Sequence, residues 1–166
     1  TLQLNYNIIN KTMRLFLQQK REFMKKYIPI LKRTQMFSGV GDNEIFGMLS
    51  CLGARLYCYK KGEYVFRQGE RVSDIVVLVE GNLLIQNDDY WGDRSILGRI
   101  ALGEMFGEAY VAPDSGVLLN DVVATEDSTV IFFDVKRILT TCSSACRFHT
   151  MIIQNMFYAI SEKNRK

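Results

Sequence analysis

Histidine is nearly absent: His149 is the only one in 166 residues. That excludes most chemistries that need two imidazoles, whether as paired acid and base or as joint metal ligands. Four cysteines, Cys51, Cys58, Cys142 and Cys146, are too few for a disulfide scaffold and suit a reducing cytoplasm. No apolar run is long enough for a membrane. The longest charge-free stretch, Phe148 to Ser161, holds 14 residues and includes His, Gln and Asn, whereas a span needs roughly 20 mostly apolar residues. No signal peptide is visible, because Lys11, Arg14, Lys20 and Arg21 are scattered through the first two dozen residues. No nucleophile elbow, Walker loop or HExxH motif occurs, so the reading is of a protein that is not an enzyme.

What is present suits one globular domain: 48% hydrophobic and 23% charged residues in 19.1 kDa. The net charge of +3 is unevenly spread. Residues 1–35 hold eight Lys/Arg and one acid, and the rest holds 13 bases and 17 acids. The body is therefore mildly acidic and offers no basic stripe for nucleic acid. The basic leader reads as a solvated arm.

Three zones follow from the patterning. Residues 24–53 read as helical. Met13–Tyr27 is rich in helix formers, and Pro29 is expected to interrupt it. A second helix runs from Asp42, as N-cap, to Leu52, with Gly53 as its C-terminal stop. Cys51 falls on the apolar side of that helix. Residues 54–134 alternate glycine turns with short β-branched and aromatic runs: Ala54–Tyr59 (which contains Cys58), Tyr64–Arg67, Ile75–Val79, Leu83–Gln86, Ser95–Ile100, Val122–Ala124 and Thr129–Asp134. Many short strands without intervening helices predict an all-β sandwich or barrel. Residues 135–166 read as helical again, with Ser143 or Ser144 capping a helix that continues to Lys166. Eight of the ten residues Met151–Ile160 are apolar, more than one core-facing stripe needs. Ile152, Met156 and Ala159 give an a/d seam for a partner helix, extended by His149 and Lys163. The end Ser161-Glu-Lys-Asn-Arg-Lys166 has no cap, so the helix looks cut mid-course.

The pieces KKGEYVFRQGE (60–70), IVVLVEGNLLI (75–85), DYWGDRSIL (89–97), LGEMFGE (102–108) and VVATEDSTVIFFD (122–134), in this order and spacing, resemble the cyclic-nucleotide-binding domain of the Crp/Fnr family of bacterial transcription regulators. The resemblance implies a mainly β fold with flanking helices. Its centre would be a double-stranded β-helix, or jelly roll, that senses an effector. A long C-terminal helix would join two subunits into a homodimer. It also implies a helix-turn-helix domain for DNA, which these residues do not contain. Met24-Lys-Lys-Tyr-Ile-Pro resembles a natural start for such a regulator. Residues 1–23 then form an N-terminal extension, which reads either as an ordinary N-terminal helix or as upstream sequence read in frame.

The family's phosphate cassette corresponds to Phe106-Gly107-Glu108. Glycine lets backbone N–H groups approach a phosphate, and the glutamate accepts a ribose hydroxyl. In nucleotide-binding members an Arg-Ser or Arg-Thr pair follows. Here the matching residues are Leu118 and Leu119, then Asn120, and no Lys or Arg lies between Arg99 and Lys136. The expectation is therefore a small-molecule effector other than cAMP, with no cyclic nucleotide as cofactor. Phe106, Gly107, Glu108, Leu118, Leu119 and Asn120 are its candidate contacts.

Two other readings stay open. One is a ligand-free dimeric adaptor whose cassette is filled by its own side chains. The other is a redox or metal sensor using Cys142, Cys146 and His149, which are spaced i, i+4, i+7 on one helix face. Three ligands do not close a structural zinc site, and buried cysteine packs well as a small hydrophobe. Trp91, at a hairpin tip, either meets another domain or covers the hairpin. The expected setting is cytoplasmic, with no membrane partner.

Overall fold

A computed structural model describes residues 22–88, 94–110, 116–140, 147–163 and 165. The eight strands among them are Arg55–Tyr59 (β1), Tyr64–Phe66 (β2), Asp74–Glu80 (β3), Leu83–Asp88 (β4), Arg94–Ile100 (β5), Met105–Phe106 (β6), Asp121–Ala124 (β7) and Ser128–Asp134 (β8). They pair antiparallel in two four-stranded sheets, ordered β1-β8-β3-β6 and β2-β7-β4-β5. This is the jelly roll, with helices flanking it.

Alternation explains the two cores. In β3, Ile75, Val77 and Val79 point to one face and Val76 and Leu78 to the other, because strand side chains have period two. All five are fully buried. Ile75, Val77 and Val79 join Met105, Ile131 and Phe133 in a core that they share with the helices. Val76 and Leu78 join Val130, Phe132, Phe66, Phe106 and Leu118 inside the roll. A strand covered on both faces needs an unbroken apolar run, and IVVLV is one.

The described helices are Ile28–Leu31 (α1), Asp42–Cys51 (α2), Val135–Leu139 (α3) and Arg147–Lys163 (α4). Pro29 sits in the first turn of α1, where its missing N–H costs nothing, so it opens a helix and does not interrupt one. The N-cap of α2 is Gly41, and Asp42 is its first helical residue, placed to favour the positive end of the helix dipole. Gly53 adopts φ +63° beyond Leu52, as a helix stop requires. Cys51 is exposed, contrary to the expected apolar placement, because Ile45, Met48 and Leu49 already supply the buried stripe. The Asp134 carboxylate accepts the Arg137 N–H and caps α3. Ser143, Ser144, Trp91 and residues 1–21 lie outside the described residues.

The helical layer is tied to the sheet by Glu80 at the end of β3. Its carboxylate accepts from Lys26 Nζ, Tyr27 Oη and Thr129 Oγ1, each at 3.0 Å. Burial pushes the Glu80 carboxyl up, but these three donors together hold it below its ordinary value.

The seam expected for a partner is the largest correction. Ile152 is 0% exposed, and Met156 and Ala159 are each 7% exposed. All three pack into this chain's own helix–sheet core, and His149 is buried with its Nε2 against the Ile138 carbonyl. Asn155 donates to the Met36 and Ser38 carbonyls, which fixes the same face inward. The apolar residues left outside are Phe157 and Tyr158, 72% and 67% exposed, flanked by half-buried Ile153 and Ile160.

Phe133 tests the helix–sheet core. It is fully buried, with Phe37 edge-on at 5.6 Å. Phe133→Ala is expected to lose about 3–5 kcal/mol in urea unfolding. Leu139→Ala, at an exposed position, should stay within about 0.5 kcal/mol of the parent. A small loss at Phe133 would mean that the two layers do not share that core.

Candidate functional site

β6 pairs with β3 through Val76↔Phe106 and Val77↔Met105, which delivers Phe106 into the roll and begins the cassette. Gly107 then turns at φ +90°, a backbone region that side chains disfavour. A Cβ there would lie 3.1 Å from the Asp74 carbonyl oxygen and 3.4 Å from the Phe66 ring. Glu108 starts a single 3-10 turn.

The Glu108 side chain is 7% exposed, and its Oε1 lies 2.6 Å from Lys163 Nζ, in the last turn of α4. The same ammonium donates to the Met105 carbonyl. Oε2 of Glu108 is buried and has no hydrogen-bond partner among the described residues. Lys163 is thus not part of a helix seam. It joins α4 to the cassette, 58 positions from Met105 in sequence, and no local pattern announces such a contact.

Leu118 is held by two backbone bonds: its N–H donates to the Glu70 carbonyl and its carbonyl accepts from Gly69 N–H. Its side chain is buried inside the roll with Phe66 and Phe106. Leu119 points the other way and is 64% exposed, and Asn120 is half-buried. The structure therefore brings Phe106 and Leu118 together in one interior and leaves Leu119 outside it. Period two across an extended segment accounts for that split.

The roll interior is filled by an aromatic file. Phe66 meets Phe106 edge-on at 5.7 Å and Phe132 at 5.9 Å, and Phe132 meets Tyr57 at 5.2 Å. At the outer end of this file lies a cavity of about 280 Å³. Its walls are Phe66, Phe132 and Tyr57, with Arg71, Arg55 and Asp74 at the rim. Arg55 pairs with Asp74. Burial pushes the Asp74 carboxyl above its ordinary value; Arg55 opposes this and the Asp134 carboxylate adds to it. Burial likewise raises the Tyr59 phenol. This cavity and the wider groove beside Tyr57, Tyr59, Tyr64 and Arg67 do not include the cassette residues in their walls.

Cys142 and Cys146 lie outside the described residues. Among the described residues no group of three His, Cys, Asp or Glu is placed to hold a metal ion. Cys58 is exposed on β1. No described helix is long and apolar enough to cross a membrane.

Comparison with known proteins agrees with this geometry. Residues 56–145 match the family described as the cyclic nucleotide-binding domain. Human cGMP-dependent protein kinase 2 is 22% identical over 135 residues, covering 81% of this chain and 17% of that protein. The chain thus spans about a sixth of that curated relative, 17% of its length. The sensor domain of the transcriptional regulator DNR from Pseudomonas aeruginosa superposes with a TM-score of 0.64 at 22% identity, covering 87% of this chain and 88% of that one. The regulatory subunit of a cAMP-independent protein kinase A from Trypanosoma cruzi, bound to guanosine, superposes at 0.57 with 20% identity, over 72% of this chain and 40% of that one. These likenesses establish the fold.

Asp74 supplies a pH test. Its folded-state pKa lies above the ordinary 3.8, so the folded chain holds this proton more tightly than the unfolded chain does. The contribution to stability is present in full below the unfolded value and is lost as pH rises through the folded value. Asp74→Asn stays neutral throughout. It should raise Tm at pH 7, with the gain closing below about pH 4. A variant less stable than the parent at pH 7 would mean that the Arg55 pair outweighs burial.

Proposed function

We propose that this chain, which belongs to the cyclic nucleotide-binding domain family, is the effector-sensing and dimerisation module of a Crp/Fnr-like bacterial transcription regulator. Its structural neighbours are sensor domains of Crp/Fnr-type regulators. In this reading the effector is a small molecule other than cAMP, and its contacts are drawn from Phe106, Gly107, Glu108, Leu118 and Asn120. DNA is contacted by a helix-turn-helix domain and not by the acidic roll, and the regulator works in the cytoplasm.

One observation carries the choice of effector. The position that would offer a cation to a cyclic phosphate is a buried leucine, Leu118. The cation that does reach the cassette, Lys163, is already held by Glu108. Arg99 and Arg147 are both exposed. A phosphate charge entering this site therefore meets a carboxylate and no free ammonium. The Trypanosoma cruzi regulatory subunit is bound to guanosine, a nucleoside without a phosphate. Filling of the roll by Phe66, Phe106 and Phe132 keeps the ligand-free adaptor as the second reading.

Loss of a buried charge-assisted pair costs roughly 2–5 kcal/mol, or about 30- to several-thousand-fold in affinity. Isothermal titration with cAMP and with cGMP should therefore give weak binding or none. A sub-micromolar Kd for either would overturn the assignment.

The dimer uses the exposed face of α4. Ile153, Phe157 and Ile160 are spaced i, i+4, i+7 and form one stripe, with Tyr158 beside it. Phe157→Glu should give a folded monomer in sedimentation, because a buried, unpaired carboxylate would recur twice per dimer at a cost of about 3 kcal/mol or more. Met156→Glu, aimed at the inward stripe, should instead unfold the chain. A stable dimer of Phe157→Glu at low micromolar concentration would place the interface elsewhere.

A further inference from the structure

The cassette directs several acceptors at one side chain. Glu108 contributes two carboxylate oxygens and Met105 its carbonyl, and among the described residues the Lys163 ammonium meets Glu108 Oε1 and the Met105 carbonyl. Oε2 of Glu108 remains buried and unmatched among the described residues. A carboxylate taken out of water needs a cation or several donors, and an ammonium offers three N–H groups. Gly107, the residue before Glu108, lies against the Phe66 ring, and Phe106 enters the roll interior with Leu118, while Met105 lies in the core shared with the helices. These acceptors have the chemistry of a seat for a primary ammonium, the group that Lys163 itself presents.

We propose that the effector carries a primary ammonium group that binds Glu108 and the Met105 carbonyl, and that Lys163 is the chain's own stand-in for it in the unliganded state. The proposal rests on the reading of this cassette as the effector site. Lys163 is the last residue of α4, and its side chain is 41% exposed. It can therefore leave for water at little cost, whereas Glu108 cannot. An effector ammonium that takes its place releases the final turn of α4 from β6. Occupancy is thereby read out on the helix whose outer face carries Phe157.

The probe is n-butylammonium, the lysine side chain without its backbone, with n-butanol as the uncharged control. Binding to the 166-residue chain is followed by NMR titration. Lys163→Ala should bind butylammonium at least about tenfold more tightly than the parent does, a factor that corresponds to about 1.4 kcal/mol. It should prefer butylammonium over butanol by a similar factor. Lys163→Gln, which keeps the stem and a neutral donor, should fall between the two and guards against loss of fold in the alanine variant. Adding Glu108→Gln should erase the preference. In the parent, saturating butylammonium should speed amide exchange in the last turn of α4. Equal affinity of the parent and both Lys163 variants would overturn the stand-in role and leave the cassette standing as effector site. A preference for butylammonium that survives Glu108→Gln would overturn the ammonium seat. Tight cAMP binding would instead overturn the reading on which the proposal rests.

Discussion

The pairing of β3 with β8 is the contact on which the rest depends. Six residue pairs, from Asp74↔Asp134 to Glu80↔Thr129, join the two strands. Both are buried almost from end to end, with Ile75 to Val79 and Val130, Ile131 and Phe133 fully so. Burying the backbone of two such strands requires that their N–H and C=O groups bond each other. Once they do, the alternating side chains must be covered on both faces. The helices cover one face and the second sheet covers the other. The cassette is placed by the same ladder, because β6 adds to β3 on the side opposite β8.

This explains which parts of the fold are legible in the sequence. Strands announce themselves as short β-branched and aromatic runs between glycines, and the seven runs expected from that pattern correspond to β1–β5, β7 and β8 within a residue or two. β6 has two residues and too little pattern to notice. Helix α2 is legible from its apolar spacing and its glycine stop, although its cap shifts by one position. The dimer seam fails for a different reason. A helix with apolar residues on more than one face offers more than one candidate stripe, and spacing alone does not show which one faces the sheet. Ile152, Met156 and Ala159 satisfy a heptad as well as Ile153, Phe157 and Ile160 do. Only the position of the sheet assigns the first set inward.

The candidate site is legible in a narrower sense. Gly107, Glu108 and the leucine at the arginine position are visible only through the resemblance to the Crp/Fnr family, which aligns them with that family's cassette. Lys163 is not, since its role comes from a contact between two ends of the domain. A lysine near a helix terminus is ordinarily a solvated charge, and nothing in its neighbours distinguishes this one. Aromatic filling of the roll is similarly hidden. Phe66, Phe106 and Phe132 come from three strands and meet only when both sheets close.

The electrostatics of the cassette then follow from two residues acting in opposite directions. Leu118 removes a positive charge from the interior, and Lys163 restores one from outside. The two are not equivalent. A cation on the cassette strand would stay beside a ligand whether or not α4 is docked, and its field would favour an anion. A cation on the last turn of a helix is present only while that helix is docked, and it neutralises Glu108 at the same time. Any effector that takes over Glu108 must therefore compete with the docking of α4, whatever the chemistry of the rest of the molecule. The helix is anchored independently along its length by Ile152, Met156 and the bonds of Asn155. That anchorage confines the competition to the final turn. With α4 fixed at its middle and contested at its end, the proposed competition bears on that final turn, and the roll itself need not change shape.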